Sequence, residues 1–297
     1  MDKSDFKFAC PRCSIALSSE LNCANCKMDF EIRGEIYRFL LPERCAEIQP
    51  FLNQYRLVRE SDGYQSYTKD EYCRLPDVQA GNPQADVWRV RKESFDRLVS
   101  LLEGQFLSIL DLGAGNGWLS HRLTELGHDL VAVDWLDDDK DGLGAHRHYP
   151  VHFTCVQADF EALPLMANQF DVVIFNASLH YTFDIERVLC KVREMIKPEG
   201  QLFVMDSPIF HSDESGQTML REQHDRLHNN YGLREVIRPG VGYLTVKKMI
   251  ELGGILGIAF KFYQSQGAPL WALKRWLARA RSNREPAAFG VWAGRLI

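Results

Sequence analysis

The segment from residue 106 to residue 127 constrains the fold of this chain more than any other part of the sequence. Residues 106–110 are a short apolar run, and a loop rich in glycine follows directly at residues 111–117. Residues 118–126 then have the pattern of a helix, and Gly127 is a typical helix terminator. A buried strand that turns through glycines into a helix is the opening unit of a doubly wound α/β sheet.

Further strands and helices follow this unit at the spacing of such a sheet. Apolar runs predict strands at residues 130–134, 153–156, 170–175 and 200–205, with a helix at residues 185–196. Strands that alternate with helices in this way form a mostly parallel sheet, whose ligands bind at the carboxyl ends of the strands. We therefore expect the functional residues at those strand ends.

The glycine loop disfavours two common phosphate-binding interpretations. A dinucleotide-binding GxGxxG loop needs a third glycine where this chain has Trp118, and no GxxxxGK(S/T) phosphate loop occurs. Asp111 places a carboxylate before the loop, where it would repel a pyrophosphate and attract a cofactor with sulfonium and ammonium groups. The charge distribution agrees, because residues 105–206 contain 16 acidic and 7 basic side chains within a chain of net charge −5.

Four blocks of this region resemble the class I S-adenosylmethionine-dependent methyltransferases, in particular the type 11 methyltransferases. They are DLGAGNGW at residues 111–118, VAVDW at 131–135, QADFEALPL at 157–165 and FDVVIFNASLHY at 170–181. The resemblance covers residues 88–297 and implies a Rossmann-like α/β fold with a seven-stranded methyltransferase sheet. It also implies that residues 258–263 and 289–296 are the last two strands, paired as an antiparallel hairpin.

The resemblance assigns the methionine part of S-adenosylmethionine to the first block. The residues implied to hold it are Asp111 and the backbone of Gly113, Gly115 and Gly117. The structural alternative is that these glycines only make a tight turn.

The resemblance assigns the adenosine part to the later blocks. Asp134 would bind the two ribose hydroxyls, and Trp135 would lie beside the adenine. Asp159 would accept from the adenine amino group with Phe160 beside it, and Asn176 would lie near the transferable methyl group. The chemistry is suitable, since a carboxylate accepts well from vicinal hydroxyls and a flat apolar side chain suits a purine face. Capping of a helix is the alternative role for either aspartate.

Methyl transfer from a sulfonium needs little acid catalysis, because the leaving thioether is neutral. An oxygen or nitrogen nucleophile can still need a base, and His180, just after the strand at residues 170–175, is our first candidate. Tyr181 is the second. The alternative for His180 is a structural histidine at a helix start.

Two CxxC elements near the N-terminus predict a metal site. Cys10, Cys13, Cys23 and Cys26 can supply four thiolates to a tetrahedral Zn(II), and a unit of about 40 residues needs such a metal to fold. With all four positions taken by sulfur the zinc would be structural. A redox or free-thiol pair is the alternative.

The chain thus divides into a zinc ribbon at residues 1–42, a linker with one or two short covering helices at residues 43–87, and a methyltransferase domain at residues 88–297. Within the last, residues 207–242 form a polar insertion that we expect to build the acceptor site. His224 and His228 in this insertion have the spacing of a helical metal pair, but we interpret them as solvated histidines.

Residues 270–281 predict a basic amphipathic helix. It could contact RNA phosphates, an anionic membrane surface or a partner, but a packed surface helix is our preferred interpretation.

Three hypotheses on function follow. The first is a methyltransferase with a small-molecule acceptor. The second is an RNA-base methyltransferase of the ribosomal-RNA type that binds RNA through its zinc ribbon. Many nucleic-acid base N-methyltransferases have an Asn-Pro-Pro-Tyr type tetrad, but here Asn176 is followed by Ala177 and Ser178. The third is a non-catalytic cofactor-binding or scaffold protein. The absence of a secretory signal or a long apolar span leads us to expect a cytoplasmic protein.

Overall fold

The computed structural model describes residues 6–64, 67–79, 81–265 and 284–296. Its strands are β1 (Asn22–Cys23), β2 (Met28–Asp29), β3 (Glu31–Arg33), β4 (Ile36–Arg38), β5 (Ser108–Leu112), β6 (Asp129–Asp134), β7 (Thr154–Gln157), β8 (Phe170–Asn176), β9 (Ile196–Met205), β10 (Ile209–Phe210), β11 (Leu244–Thr245), β12 (Lys261–Gln264) and β13 (Gly290–Arg295). Its helices are α1 (Pro42–Ser61), α2 (Lys69–Arg74), α3 (Ala85–Leu101), α4 (Trp118–Glu125), α5 (Ile185–Met195), α6 (Asp213–Tyr231) and α7 (Val246–Leu256).

A central sheet has the strand order β12-β13-β9-β8-β5-β6-β7-β4-β3, and the strands from β9 to β4 run parallel. Beyond β9, strand β13 runs antiparallel to β9, and β12 runs antiparallel to β13. This pairing confirms the expected antiparallel hairpin of the last two strands. Strand β5 lies between β6 and β8, so the chain winds outward from it in both directions. This arrangement confirms the predicted α/β sheet and opens a crevice at the carboxyl ends of these three strands.

The sheet, as far as the chain is described, has nine strands rather than the seven we predicted. Strand β4 runs parallel to β7, with Ile36 opposite Cys155 and Arg38 opposite Gln157, and β3 lies outside it. Both additional strands come from the segment that we predicted as a zinc ribbon. Burial explains the difference: Ile36 and Phe39 are each 1% exposed and belong to the core of the sheet.

Helices cover both faces of the sheet, which explains why its central strands are almost entirely apolar. Side chains alternate along β5 between two cores. Ile109 belongs to a core with Trp88 of α3 and Leu119 of α4, whereas Leu110 belongs to a core with Val188 of α5. The strand ends that carry the candidate site are therefore held from both sides.

The four paired cysteines lie together in the N-terminal module. The Sγ atoms of Cys10, Cys13, Cys23 and Cys26 all lie within 4.8 Å of one another. The segment before them is tied to the central domain, since the backbone N–H of Ala9 donates to the carbonyl of Pro164 at 3.0 Å. The module is thus fastened to the sheet on both sides of its cysteines.

Helix α1 differs most from the sequence analysis, which expected short helices in this segment. It has 20 residues and begins at a proline, a residue favoured in the first turn. Its Ile48 and Leu52 are buried in a cluster with Trp135 and Leu136, which follow β6. Helix α1 therefore lies over the carboxyl edge of the sheet.

The polar insertion at residues 207–242 contains α6 and one strand of the small β10–β11 sheet. His224 and His228 lie on α6, where Nδ1 of His228 is 3.2 Å from the carbonyl oxygen of Leu233. Among the described residues the cysteine cluster alone brings three or more potential metal ligands together. The basic helix predicted at residues 270–281 lies outside the described residues. None of the helices described is both long and apolar enough to cross a bilayer.

Candidate functional site

A cavity with about 790 Å³ of empty space opens at the carboxyl ends of β5, β6 and β8, under helix α1. We call it the inner cavity. Most of the candidate site residues from the methyltransferase-like region line it, namely Gly113, Gly115, Asp134, Trp135, Phe160, Asn176 and Tyr181.

The glycine loop brings the backbone to the wall of this cavity. Gly113 has a φ of +80°, and its N–H donates to the carbonyl of Val133 at 2.8 Å. A Cβ at this position would lie 2.2 Å from the Cβ of Ser178. Gly117, at φ +76°, then begins helix α4. The sequence needs glycine at both positions, because a side chain would be strained or would collide.

Asp134 lies half-buried at the end of β6 and faces the inner cavity. Its Oδ2 accepts from the N–H of Gly115 and its Oδ1 from the N–H of Leu136, both at 2.8 Å. Burial raises the pKa of Asp134 to about 6, and the charge of Asp141 adds to the effect. A carboxylate oxygen has two lone pairs, so both oxygens can still accept from a ligand.

Aromatic side chains and one amide complete this wall. The rings of Trp135 and Phe160 are stacked with centroids 5.6 Å apart, and Phe51 of α1 meets Trp135 edge-on. Asn176, at the end of β8, is 8% exposed, and its Oδ1 has no hydrogen-bond partner within the described part of the chain. A buried polar atom without a partner is costly, so this oxygen is ready to accept from a ligand.

Asp111 lies behind the glycine loop instead of lining the cavity. It is fully buried, and its Oδ2 accepts from Oγ of Ser120 at 2.8 Å. Burial raises the pKa of Asp111 to about 7. Its Oδ1 has no hydrogen-bond partner among the described residues, and its contact with the methionine part of the cofactor stays a prediction.

Asp159 also differs from the expectation, since it does not line the inner cavity. Its Oδ2 accepts from Nε of Arg44 on α1, and its Oδ1 accepts from the indole N–H of Trp135 at 3.3 Å. The sequence analysis could not anticipate this pairing, because the partner arginine lies 115 residues away in the linker.

A second cavity, which we call the outer cavity, continues from the first and contains about 1050 Å³ of empty space. The two cavities share six lining residues, namely Phe51, Tyr55, Arg59, Arg91, Ala177 and Tyr181. The outer cavity is bounded by α1, α6 and residues 233–238. A ligand in one cavity is thus next to a ligand in the other.

The two candidate catalytic residues lie on this outer side. Nδ1 of His180 is 3.0 Å from Oγ of Ser207. Burial, together with the charge of Arg238, lowers the pKa of His180 to about 3, so its imidazole is neutral near pH 7 and only weakly basic. Burial raises the pKa of Tyr181, while the nearby charges of Arg59 and Arg238 oppose that shift.

Several cavity residues were missed by the sequence analysis. Phe51, Tyr55 and Arg59 come from α1, Arg91 comes from α3, and Asp206 follows β9. Asp206 is 6% exposed, and its Oδ1 accepts from Oγ of Ser94 at 2.6 Å. Burial raises the pKa of Asp206 to about 7. Its position at the carboxyl end of a buried strand was a usable signal, because Asp134 lies at the end of β6.

Comparison with known proteins agrees with this geometry. Residues 110–204 match the family model of a methyltransferase domain. In fold, the chain is similar to a putative S-adenosylmethionine-dependent methyltransferase from Listeria monocytogenes, with a TM-score of 0.51, 19% identity and coverage of 69% of this chain and 97% of that one. The family match supports a methyltransferase domain, and the similarity to the Listeria structure supports its α/β fold.

The curated relatives match only part of this chain. A malonyl-[acyl-carrier protein] O-methyltransferase from Salmonella typhimurium is 33% identical over 116 residues, which are 37% of this chain and 43% of that protein. The mitochondrial arginine hydroxylase NDUFAF5 of Danio rerio is 32% identical over 92 residues, which are 31% of this chain and 28% of that protein. The chain therefore spans less than half the length of these relatives, and their names describe more than one kind of reaction.

Proposed function

We propose that this protein is an S-adenosylmethionine-dependent methyltransferase that binds its cofactor in the inner cavity and a small-molecule acceptor in the outer cavity. One observation carries the proposal: the glycine loop, the Asp134 carboxylate and the Asn176 amide face one cavity at the switch point of the sheet. The family match over residues 110–204 supports the same reading.

The residues around the inner cavity fit this cofactor. The two oxygens of Asp134 would accept from the ribose hydroxyls, and Trp135 and Phe160 offer apolar ring surface to an adenine. The buried Asn176 Oδ1, which lacks a partner among the described residues, would accept from a polar group of the cofactor. The glycine loop would contact the methionine part through its backbone.

The bound cofactor supplies a methyl group on a cationic sulfur. When the methyl group is transferred to the acceptor, this sulfur leaves as a neutral thioether. The protein contributes mainly alignment, which alone can supply roughly 7–11 kcal/mol of the barrier reduction. His180 is too weak a base in this environment to be required for proton removal. We propose instead that the contact between His180 and Ser207 stabilises the wall of the outer cavity. Tyr181, which lines both cavities, would lie between the cofactor and the acceptor.

A small acceptor fits the position of the outer cavity between α1 and the insertion, next to the inner cavity. Gln54 of α1 bridges to the insertion, since its Nε2 donates to the carbonyl of Glu235 at 2.8 Å and its Oε1 accepts from the N–H of Ile237 at 2.9 Å. This bridge joins two sides of the cavity.

We further propose that the four cysteines bind a structural Zn(II). A tetrahedral site with Zn–S distances of 2.3 Å has sulfurs roughly 3.8 Å apart, and the four Sγ atoms lie within 4.8 Å of one another, with Cys13 and Cys23 at 3.6 Å. Arg12, between the first two cysteines, forms an ion pair with Glu43 in the first turn of α1. The metal would thus help to place the helix that covers both cavities.

Transfer of a labelled methyl group tests this function. Protein with S-adenosylmethionine labelled in its methyl group is incubated separately with a small-molecule extract and with bulk RNA from the same cells. We expect label in a small-molecule product. Label in RNA instead would favour an RNA methyltransferase, and cofactor binding without any transfer would favour a non-catalytic role.

A further inference from the structure

The outer cavity is rich in arginine, and its arginines fall into two pairs. Arg59 forms an ion pair with Asp141, and Arg226 has its Nη1 3.8 Å from the carboxylate of Asp62. Arg238 lines the outer cavity but not the inner one, Arg91 lines both cavities, and neither forms an ion pair with a described residue. Two of the four guanidinium groups thus form no ion pair, although Asp206 lies near Arg91.

Both of these arginines are nevertheless held in place. The guanidinium of Arg91 lies over the ring of Trp88, 4.7 Å from its centroid. Nη2 of Arg238 donates to Oε1 of Gln223 on α6 at 2.9 Å. Burial lowers the pKa of Arg238, which is the effect of withdrawing a cation from water without an anion beside it. Fixed, half-buried guanidinium groups of this kind are suited to bind an anion.

The carboxylates that line the cavity do not compete for this role. Asp62 accepts from the Tyr231 hydroxyl at 2.6 Å and faces Arg226. Asp206 lies near Arg91, but burial raises its pKa to about 7, so a substantial fraction is uncharged near neutral pH. The cavity therefore presents a net positive charge to its ligand.

The remaining lining combines aromatic and aliphatic side chains with the polar Gln54, His180 and Gln223. The rings of Tyr55 and Tyr181 meet edge to face with centroids 6.3 Å apart, and Phe51 packs on Tyr181 at 5.7 Å. Leu227 and Leu233 contribute aliphatic surface from the other side. A ligand that combines an apolar body with one anionic group would match both parts of the cavity.

We propose that the acceptor is an amphipathic anion, with a carboxylate or a phosphate, and that Arg91 and Arg238 bind its anionic group. The inference rests on the proposed function, because it assigns the outer cavity to the acceptor. It adds the chemical class of the substrate. An aromatic or aliphatic body would lie against Phe51 and Tyr181, where the two cavities join.

Binding of simple probes tests the proposal. Phenylacetate, phenyl phosphate and the neutral phenylacetamide are titrated, with ligand-observed NMR, into protein saturated with S-adenosylhomocysteine. We expect at least one anionic probe to bind at least tenfold more tightly than the amide. Arg91→Gln and Arg238→Gln should each weaken that probe at least tenfold, and Arg238→Lys should weaken it less.

The matched control is Arg221→Gln, an arginine of α6 that does not line the outer cavity. It should leave all affinities unchanged. Preference for phenylacetate or for phenyl phosphate identifies which anionic group the site takes. Equal binding of the amide, no binding of any probe, or unchanged binding in both Arg→Gln variants would overturn the proposal.

The failure of this proposal can be distinguished from failure of the proposed function. Affinity for S-adenosylhomocysteine is measured in each variant, and we expect it to change less than twofold in Arg238→Gln. Loss of cofactor binding by the wild-type protein would contradict the function itself. Normal cofactor binding with no preference for anions would contradict only the assignment of the acceptor.

Discussion

Arg59 of helix α1 and Asp141 of the segment after β6 form a bidentate ion pair, in which Nη2 of the arginine lies 2.7 Å from Oδ1 of the aspartate. The Asp141 side chain is only 2% exposed, and the guanidinium also stacks on Tyr64, 3.4 Å from the ring centroid. Asp141 lines the inner cavity. The pair therefore fastens the covering helix to the wall of the proposed cofactor site.

Replacing Arg59 should loosen this helix. Arg59→Gln leaves the buried Asp141 carboxylate without its partner, a change that typically costs about 3–5 kcal/mol. We expect a lower melting temperature and at least tenfold weaker binding of S-adenosylhomocysteine. Arg56→Gln is the control, because its ion pair with Asp138 is longer, at 3.9 Å, and more exposed. Similar effects of both substitutions would contradict the role of the buried pair.

A methyl group at Gly113 should disrupt the loop. Gly113→Ala places its Cβ against Ser178 and puts alanine at a positive φ, so we expect a loss of about 1–3 kcal/mol and weaker cofactor binding. Gly254→Ala is the matched control, since nothing lies within 4 Å of its Cβ in helix α7. It should be neutral or raise stability by up to about 1 kcal/mol. Urea unfolding measures both, and equal effects would contradict the steric argument.

Two buried carboxyl groups should make the protein less stable as pH rises. Burial raises the pKa of Asp111 and of Asp206 to about 7 from the ordinary value near 4. The folded state then binds more protons than the unfolded state between these values, so the free energy of unfolding falls as pH rises from about 4 to about 7. Below that window both states are protonated and the effect is absent.

Asp206→Asn tests this sign. The variant lacks the titrating group, and we expect its stability relative to wild type to increase between pH 5 and pH 8 by at least about 1.4 kcal/mol, the equivalent of one pKa unit. The amide oxygen can still accept from Ser94. Asp96→Asn, at an exposed site on α3, should show no such trend. A difference that does not vary with pH would contradict the raised pKa.

Removal of zinc should weaken cofactor binding as well as stability. A chelator, or Cys13→Ser, would release the turn that carries Arg12 and with it the ion pair to Glu43 of α1. We expect one zinc per chain by elemental analysis, a lower melting temperature without it, and weaker binding of S-adenosylhomocysteine. Cys190→Ser, at an exposed cysteine of α5, should change none of these. Metal-free protein of unchanged stability would contradict a structural zinc.

The central part of the fold was predictable because its strands and its glycine loop correspond to local patterns in the sequence. Continuous apolar runs give strands that are buried on both faces, and the residues at their carboxyl ends, such as Asp134 and Asn176, must lie at one edge of the sheet. The position of Gly113 was predictable as well, because a glycine loop directly after a buried strand is also a local pattern. The structure supplies the physical reason, since the positive φ of Gly113 disfavours a side chain.

The covering elements were not predictable in the same way. Helix α1 has little segregation of apolar and polar faces, because it packs on Trp135 and Leu136 on one side and lines cavities on another. The pairing of Asp159 with Arg44 depends on a contact across 115 residues. The addition of β4 to the sheet depends on register with β7. No local pattern in one sequence contains such information.

Calorimetric titration of the zinc-loaded protein with S-adenosylmethionine tests the central claim most directly. We expect one site per chain in the wild-type protein. Asp134→Ala and Asp134→Asn should each lose at least tenfold in affinity, because hydrogen bonds to a charged group contribute about 1.5–3 kcal/mol. Circular dichroism confirms that the variants remain folded. The absence of binding by the wild-type protein would contradict a cofactor site built around Asp134. So would folded variants that bind S-adenosylmethionine with the affinity of the wild-type protein.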